Sequence, residues 1–295
     1  MIRRFTEFRL PSLFLLAGGL LTDPLAGFAR DPEDKSQYTL FNPTPRDLMR
    51  PMSTDRPDLT ETPYTVDAGH FQIEMDLLNY AYDCPNTDNG HVRTDAYSIA
   101  SVNLKLGLCN YADFQLLLNP WIYVHTDDGT ASGTQTRSGF GDVTTRLKIN
   151  LWGNDSGKTA LAVMPFVTFP TSQNDVGQSE YSGGLIIPFA MELPAEWGLG
   201  AMTEVDFVQN KSGSGHHAEF INTVSLNHDI VGALGGYVEF FSAVRAERDT
   251  PWIGTVNFGF TYALSENMQL DAGLNIGVTS SADALNPFVG LSWRF

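Results

Sequence analysis

The chain has 295 residues, with 34 acids against 18 bases for a net charge of −16, and two cysteines. A pI near 4.6 leaves no cluster of Lys and Arg to displace counterions from a phosphate backbone, which argues against nucleic-acid binding. Mean hydropathy is −0.13 and the longest apolar stretch, Leu13–Leu21, is far shorter than the ~18–20 residues of a spanning helix, so a helical membrane protein is excluded.

At the start of the chain, Arg3, Arg4 and Arg9 precede that short apolar stretch, and Ala26-Gly27-Phe28-Ala29 supplies small residues suited to cleavage after Ala29. This is the layout of a secretory signal peptide, expected over residues 1–29. Residues 30–69 follow, rich in charge and carrying Pro43, Pro45, Pro51, Pro57 and Pro63. They are expected either to stay extended in the periplasm or to fold back as a plug, with Asp55, Arg56, Asp58 and Glu61 as the polar contacts of such a plug.

From Gly69 onward, apolar residues recur with period two, the signature of strands with one apolar face. In 268–278, Met268, Leu270, Ala272, Leu274, Ile276 and Val278 share one parity, while Gln269, Asp271, Gly273, Asn275 and Gly277 share the other. The pattern predicts twelve strands at 70–82, 94–108, 112–124, 140–152, 159–169, 182–193, 197–209, 217–228, 234–244, 252–264, 268–278 and 286–295. A parity change at Leu77-Leu78 predicts a bulge. Long connections alternate with short ones, as in an up-and-down outer-membrane barrel, with both termini then in the periplasm. Cys84 and Cys109 fall at opposite ends of a strand, too far apart to bridge.

Charge provides a second test of the strands. Glu74, Asp76, Asp95, Lys105, Asp113, Asp142, Arg146, Lys148, Glu192, Glu204, Asp206, Glu219, Glu239, Asp271 and Arg294 all read onto the face opposite the apolar one. A Lys or Arg facing lipid at the midplane costs ~2–4 kcal/mol, so this segregation is what a membrane barrel requires. A soluble sandwich or lipocalin also alternates, but three features oppose it. The strands are long. Trp121, Trp152, Trp197, Trp252 and Trp293 sit near strand ends, where aromatic girdles lie. The sequence also closes on an alternating strand with Phe295, a signal expected to engage the barrel-assembly machinery.

The sequence therefore predicts an all-β fold, a transmembrane antiparallel up-and-down barrel over 70–295 in the outer membrane of a Gram-negative bacterium, in contact with lipid and lipopolysaccharide. Specific residues add a family. Ser53-Thr54-Asp55-Arg56-Pro57-Asp58, Gly139-Phe140-Gly141-Asp142, Gly183-Gly184-Leu185-Ile186-Ile187-Pro188, Met202-Thr203-Glu204-Val205-Asp206 and Asn286-Pro287-Phe288-Val289-Gly290-Leu291 occur in order. Across Ser53 to Phe295 the chain resembles the outer-membrane transporter family named for the MetA-pathway of phenol degradation. The resemblance implies a barrel passing small, often aromatic or hydrophobic compounds, and it brings no catalytic residues.

Twelve strands should enclose a narrow lumen. Its expected lining charges are Glu74, Asp76, Lys105, Asp142, Arg146, Lys148, Glu204, Asp206, Glu239, Asp271 and Arg294. Among the fifteen strand charges, eleven acids outnumber four bases, which predicts a pore favouring cations or neutral solutes over anions. The structural alternative is that the bases merely pair with neighbouring carboxylates. A lipid-processing enzyme is a rival reading, but His70, His91, His125, His216, His217 and His228 all fall in loops or at strand ends. No cofactor or metal is expected. A non-permeating adhesion or structural barrel is the other rival, and it calls for larger loops than the chain has.

Overall fold

The computed structural model describes residues 34–130, 133–210 and 215–295; the leader expected over 1–29 lies outside them. The wall is a single antiparallel sheet closed into a ring of twelve strands. It begins with β1 (Phe71–Asp83), β2 (Arg93–Ile99), β3 (Ser101–Cys109), β4 (Ala112–Leu118), β5 (Trp121–Asp127), β6 (Thr134–Gly139) and β7 (Val143–Trp152). It continues with β8 (Thr159–Phe169), β9 (Ser182–Glu192), β10 (Gly198–Gln209), β11 (His216–Val231), β12 (Leu234–Arg245), β13 (Ile253–Ser265), β14 (Met268–Gly277) and β15 (Leu285–Arg294). Here β2 and β3, β4 and β5, and β6 and β7 are each one barrel strand broken in two. The ring closes where β15 pairs with β1, from Gln72 opposite Arg294 to Tyr82 opposite Leu285. Closure leaves only the outer edge of β6 unpaired, at the loop end where β6 pairs with β5 alone, and the continuous ring below it is what lets a β-structure sit in hydrocarbon.

The alternation of side chains is inside-out relative to a soluble core. Phe114 is 38% exposed beside Gln115 at 0%, Val224 50% beside Ser225 at 0%, and Trp293 45% beside Ser292 at 0%. The apolar members face outward and the polar ones inward, as a lipid-facing wall with a polar interior demands. All five tryptophans, 40–49% exposed, lie on this outer surface close to strand ends.

Four neighbouring strands bend at one height. A register shift at Asp76/Leu78 in β1 is the expected bulge. In the strand beside it, Ala100 at φ +57° separates β2 from β3. Asn119-Pro120 interrupts the next strand and Phe140-Gly141-Asp142 the one after. Proline removes a ladder donor at this seam. Gly141 is needed there too, since a Cβ would stand 2.8 Å from that of Asn119, whose carbonyl accepts from the Gly141 amide at 2.9 Å.

Two expectations change at this seam. The connection expected over 125–139 is largely a hairpin, because β5 and β6 pair from Ile122 opposite Gly139 to Asp127 opposite Thr134. The left-handed residue Ala100 also inverts the parity of β2, so Asp95 lies on the outer face. There it accepts hydrogen bonds from Tyr80 Oη at 2.6 Å and Arg93 Nε at 2.8 Å, next to Tyr97.

Candidate functional site

The short turns gather at one end of the ring, and residues 34–70 begin and end there. Arg50 fixes the first crossing. Its guanidinium donates to Asn110 O at 3.2 Å, Asp155 Oδ1 at 3.1 Å and Thr65 O at 3.1 Å, while its backbone amide donates to Asp67 Oδ2 at 3.1 Å. Arg294 Nη1 donates to Arg50 O at 2.8 Å and lies 3.6 Å from Asp67. Lys35 reaches Asp155 at 3.0 Å. Burial works against ionisation of Asp155, yet hydrogen bonds from Asn110 and Lys35 and the charges of Arg50 and Lys35 hold it below the usual carboxylate range. The return crossing uses the same turns, with Thr65 N donating to Asn154 Oδ1 at 3.1 Å.

Between those crossings the chain runs through the ring interior, and its prolines suit an extended path whose amides bond to wall side chains rather than to a ladder. On the side of β3 and β7, Asp55 lies between two lysines. It pairs with Lys105 and, at 2.6 Å, with Lys148; Lys105 also pairs with Glu74. The Asp55 amide donates to Glu74 Oε2 at 3.0 Å, and Asp55 Oδ1 accepts from Thr62 N at 2.9 Å. Gln72 Nε2 donates to Ser53 O at 2.7 Å and Val66 N to Asp113 Oδ2 at 3.0 Å. Arg146 pairs with Glu61. Every buried charge here has a partner, without which its desolvation would cost several kcal/mol.

Toward β12, β14 and β15 the partners reverse sign. Arg56 donates from Nη1 to Asp76 at 2.7 Å, and from Nη2 and Nε to the two oxygens of Asp271 at 2.7 and 3.2 Å. Two parallel bonds to one carboxylate match the planar guanidinium. Gly290 makes room for it, since a Cβ there would meet Arg56 Nη2 at 2.1 Å. Glu239 accepts from Leu59 N at 3.0 Å, Thr60 Oγ1 at 2.6 Å and Asn257 Nδ2 at 2.7 Å. Thr60 also bonds Thr223 at 2.7 Å.

This layer separates two cavities. One, of about 400 Å3, lies toward the long loops and is lined by Leu117, Leu118, Met202, Ile221, Phe241 and Glu204 among others. The other, of about 350 Å3, opens toward the short turns past Thr54, Tyr64, Asn227 and Tyr237. Arg56, Asp58 and Glu61 line both cavities, so the partition at that point is a single strand of chain thick.

The expected lining and plug residues thus divide. Asp55, Arg56, Asp58, Glu61, Glu74, Asp76, Lys105, Arg146, Lys148, Glu239 and Asp271 converge around this layer, and Glu204 lines the cavity above it with Asp206 two residues further along β10. Asp142 is elsewhere. It precedes β7 at the loop end, where its carboxylate accepts from the amides of Ser172 at 3.0 Å and Gln178 at 2.6 Å and so fixes a loop. Arg294 belongs to the turn-end cluster. The uncharged contributors Gln72, Thr60, Asn257 and Thr223 escape a search confined to charges, although each strand member has the inward parity. Of the histidines, His70 bonds Thr44 O, His125 Thr136, His216 Tyr181 O, His217 Asn210 and His228 Glu196 O. Among the described residues no group of three or more His, Cys, Asp and Glu could hold a metal, and Cys84 and Cys109 are free.

The MetA-pathway of phenol degradation family matches residues 54–295. Among solved structures, an outer membrane channel from Pseudomonas putida F1 is 12% identical, with 82% of this chain and 100% of that one covered at a TM-score of 0.54. The β domain of the Bordetella autotransporter BrkA is 11% identical, with 76% and 98% covered at 0.48. At 12% identity the likeness to the Pseudomonas putida F1 channel is one of fold: an outer-membrane β-barrel. No curated protein matches the sequence.

Proposed function

The chain belongs to the MetA-pathway of phenol degradation family, and on that premise we propose that it is an outer-membrane channel for small, partly apolar compounds, closed by its own residues 34–69. In this reading the turn end and both termini face the periplasm, and the loop-side cavity receives the solute from outside. The observation that carries it is the partition: cavities open from both ends and stop at the same three side chains, Arg56, Asp58 and Glu61. Displacing that thin layer joins them into one path. The mixed lining of the outer cavity, Leu117, Met202 and Phe241 beside Glu204, suits a compound with an apolar body and one polar group. With the segment displaced, the wall itself still carries more carboxylates, Glu74, Asp76, Glu204, Asp206, Glu239 and Asp271, than bases, Lys105, Arg146 and Lys148. A pore opened there therefore prefers cations and neutral solutes to anions.

Planar-bilayer recording tests this reading, using the chain from Arg30 onward and a shortened form that starts at residue 66. The shortened form should conduct with cation preference while the longer one stays closed. Equal conductance from both, or anion preference in the shortened form, would sink the proposal.

A further inference from the structure

Residues 39–42 form a tight turn whose two ends are paired: Thr39 N donates to Asn42 O at 2.9 Å and Asn42 N to Thr39 O at 3.0 Å. The turn is fastened to the rim of the wall. Leu40 N donates to Leu108 O at 2.8 Å, Thr39 bridges Cys109, and two residues on, Thr44 N donates to Ala68 O at 2.9 Å. At the tip of this well-bonded turn stands Phe41, 94% exposed, the most exposed large apolar side chain among the described residues. Tyr38, three residues earlier, is buried. The segment therefore has an interior to offer a ring, and Phe41 is directed away from it.

The place of the turn on the rim identifies its surroundings. It lies against the end of β3, in the slot that β1 vacates below Phe71. On one side are the outward rings of Phe71, Phe295 and Trp293, with Phe71 stacked on Phe295 at 6.1 Å and Trp293 5.0 Å from Phe295. On the other, Tyr111 in the β3–β4 turn is 59% exposed and Trp152 at the end of β7 is 49% exposed. These rings form the outward aromatic band at the turn end of the barrel, and the Thr39–Cys109 bridge sets the turn that carries Phe41 on the same rim, at the end of β3 between Phe71 and Tyr111 in the order of the wall. Aromatic rings at this level of a membrane barrel reside in the headgroup region.

We propose that the Thr39–Asn42 turn is a lipid anchor, with Phe41 inserted into the phospholipid leaflet at the turn end. The partner is the bilayer itself, through continuity with the lipid-facing girdle. The anchor would hold the root of the lumen segment at the membrane surface whatever residues 53–61 do further along.

The test places an environment-sensitive fluorophore on Phe41→Cys in a Cys84→Ser, Cys109→Ser background. The labelled chain is reconstituted in phosphatidylcholine vesicles with and without brominated acyl chains. Phe71→Cys serves as the lipid-facing reference and Thr130→Cys as the solvent reference, and heat-modifiable migration verifies that each variant is folded. Bromine-dependent loss of fluorescence at position 41, similar to that at 71, with weak quenching by aqueous iodide, is the expected result. Iodide quenching equal to that at 130, without bromine-dependent loss, would overturn the proposal and leave the turn in water.

Discussion

The inner wall has two electrically opposite sectors. Around β3 and β7 stand Lys105, Arg146 and Lys148, whereas across the ring the charges of β10, β12 and β14 at the level of the segment are all acids, Glu204, Asp206, Glu239 and Asp271, and Arg245 at the loop end of β12 is paired with Glu219. The lumen segment is written to match, with Asp55 and Glu61 turned to the basic side and Arg56 to Asp271 and Asp76. Neighbouring residues 55 and 56 thus point to opposite sectors, as extended backbone dictates. The difference teaches that the position of the segment is set by sign as well as by shape. A flipped or slipped segment would set Asp55 against Glu239 and leave the buried lysines unpaired.

The largest way to break this contrast is to remove a base from the basic sector. Lys148→Met should destabilise the folded barrel by about 3–5 kcal/mol, because Asp55 is left buried with half its compensation. Urea titration of heat-modifiable migration reads the loss, and adding Asp55→Asn should recover part of it. Across the ring the effect on stability is of the same order, since Arg56→Met strands the fully buried Asp271 carboxylate for about 3–5 kcal/mol, and it should also raise conductance. An unchanged conductance would mean that Arg56 is not part of the closure.

Thr60→Val sharpens the comparison at a neutral contact. It removes the bonds to Thr223 and Glu239 and should cost about 1 kcal/mol, with little change in ion preference. The smallest effect concerns the turn end. Asp155 titrates below its ordinary range in the folded chain, so its stabilising contribution is present at neutral pH, above the unfolded value of ~3.9, and is lost as pH falls through the lower folded value. Hydrogen exchange in residues 35–50 should quicken only below about pH 4, and Asp155→Asn should remove that step.

Much of this architecture was legible because lipid outside and polar groups inside impose one period on every strand. Met268 to Val278 alternates in the sequence as it does in β14. The seam was not legible in full. Leu77-Leu78 betrays its bulge by two adjacent apolar residues, but nothing in Ile99-Ala100-Ser101 signals a left-handed alanine, and Asp95 is consequently read onto the wrong face. Thr134–Gly139 contains almost no apolar residue, so a strand that rises beyond the apolar wall carries no alternation to find. The lumen contacts were legible by residue type only. Asp55 and Arg56 attract notice as charges in a proline-rich segment, while their pairing with Lys148 and Asp271 joins residues 93 and 215 positions apart and depends on ring closure.

The segment passes Arg50 on its way in and Thr65 on its way out, and both touch the same turns around Asn110 and Asn154. In topological terms it is a finger and not a thread. The ring can be completed first and the finger inserted afterwards, or withdrawn and returned, without parting β15 from β1 or breaking any other rung of the ladder. Assembly of the wall and filling of its interior are thereby topologically separable events, and in the proposed channel a single barrel passes between filled and empty forms while its embedded surface stays the same.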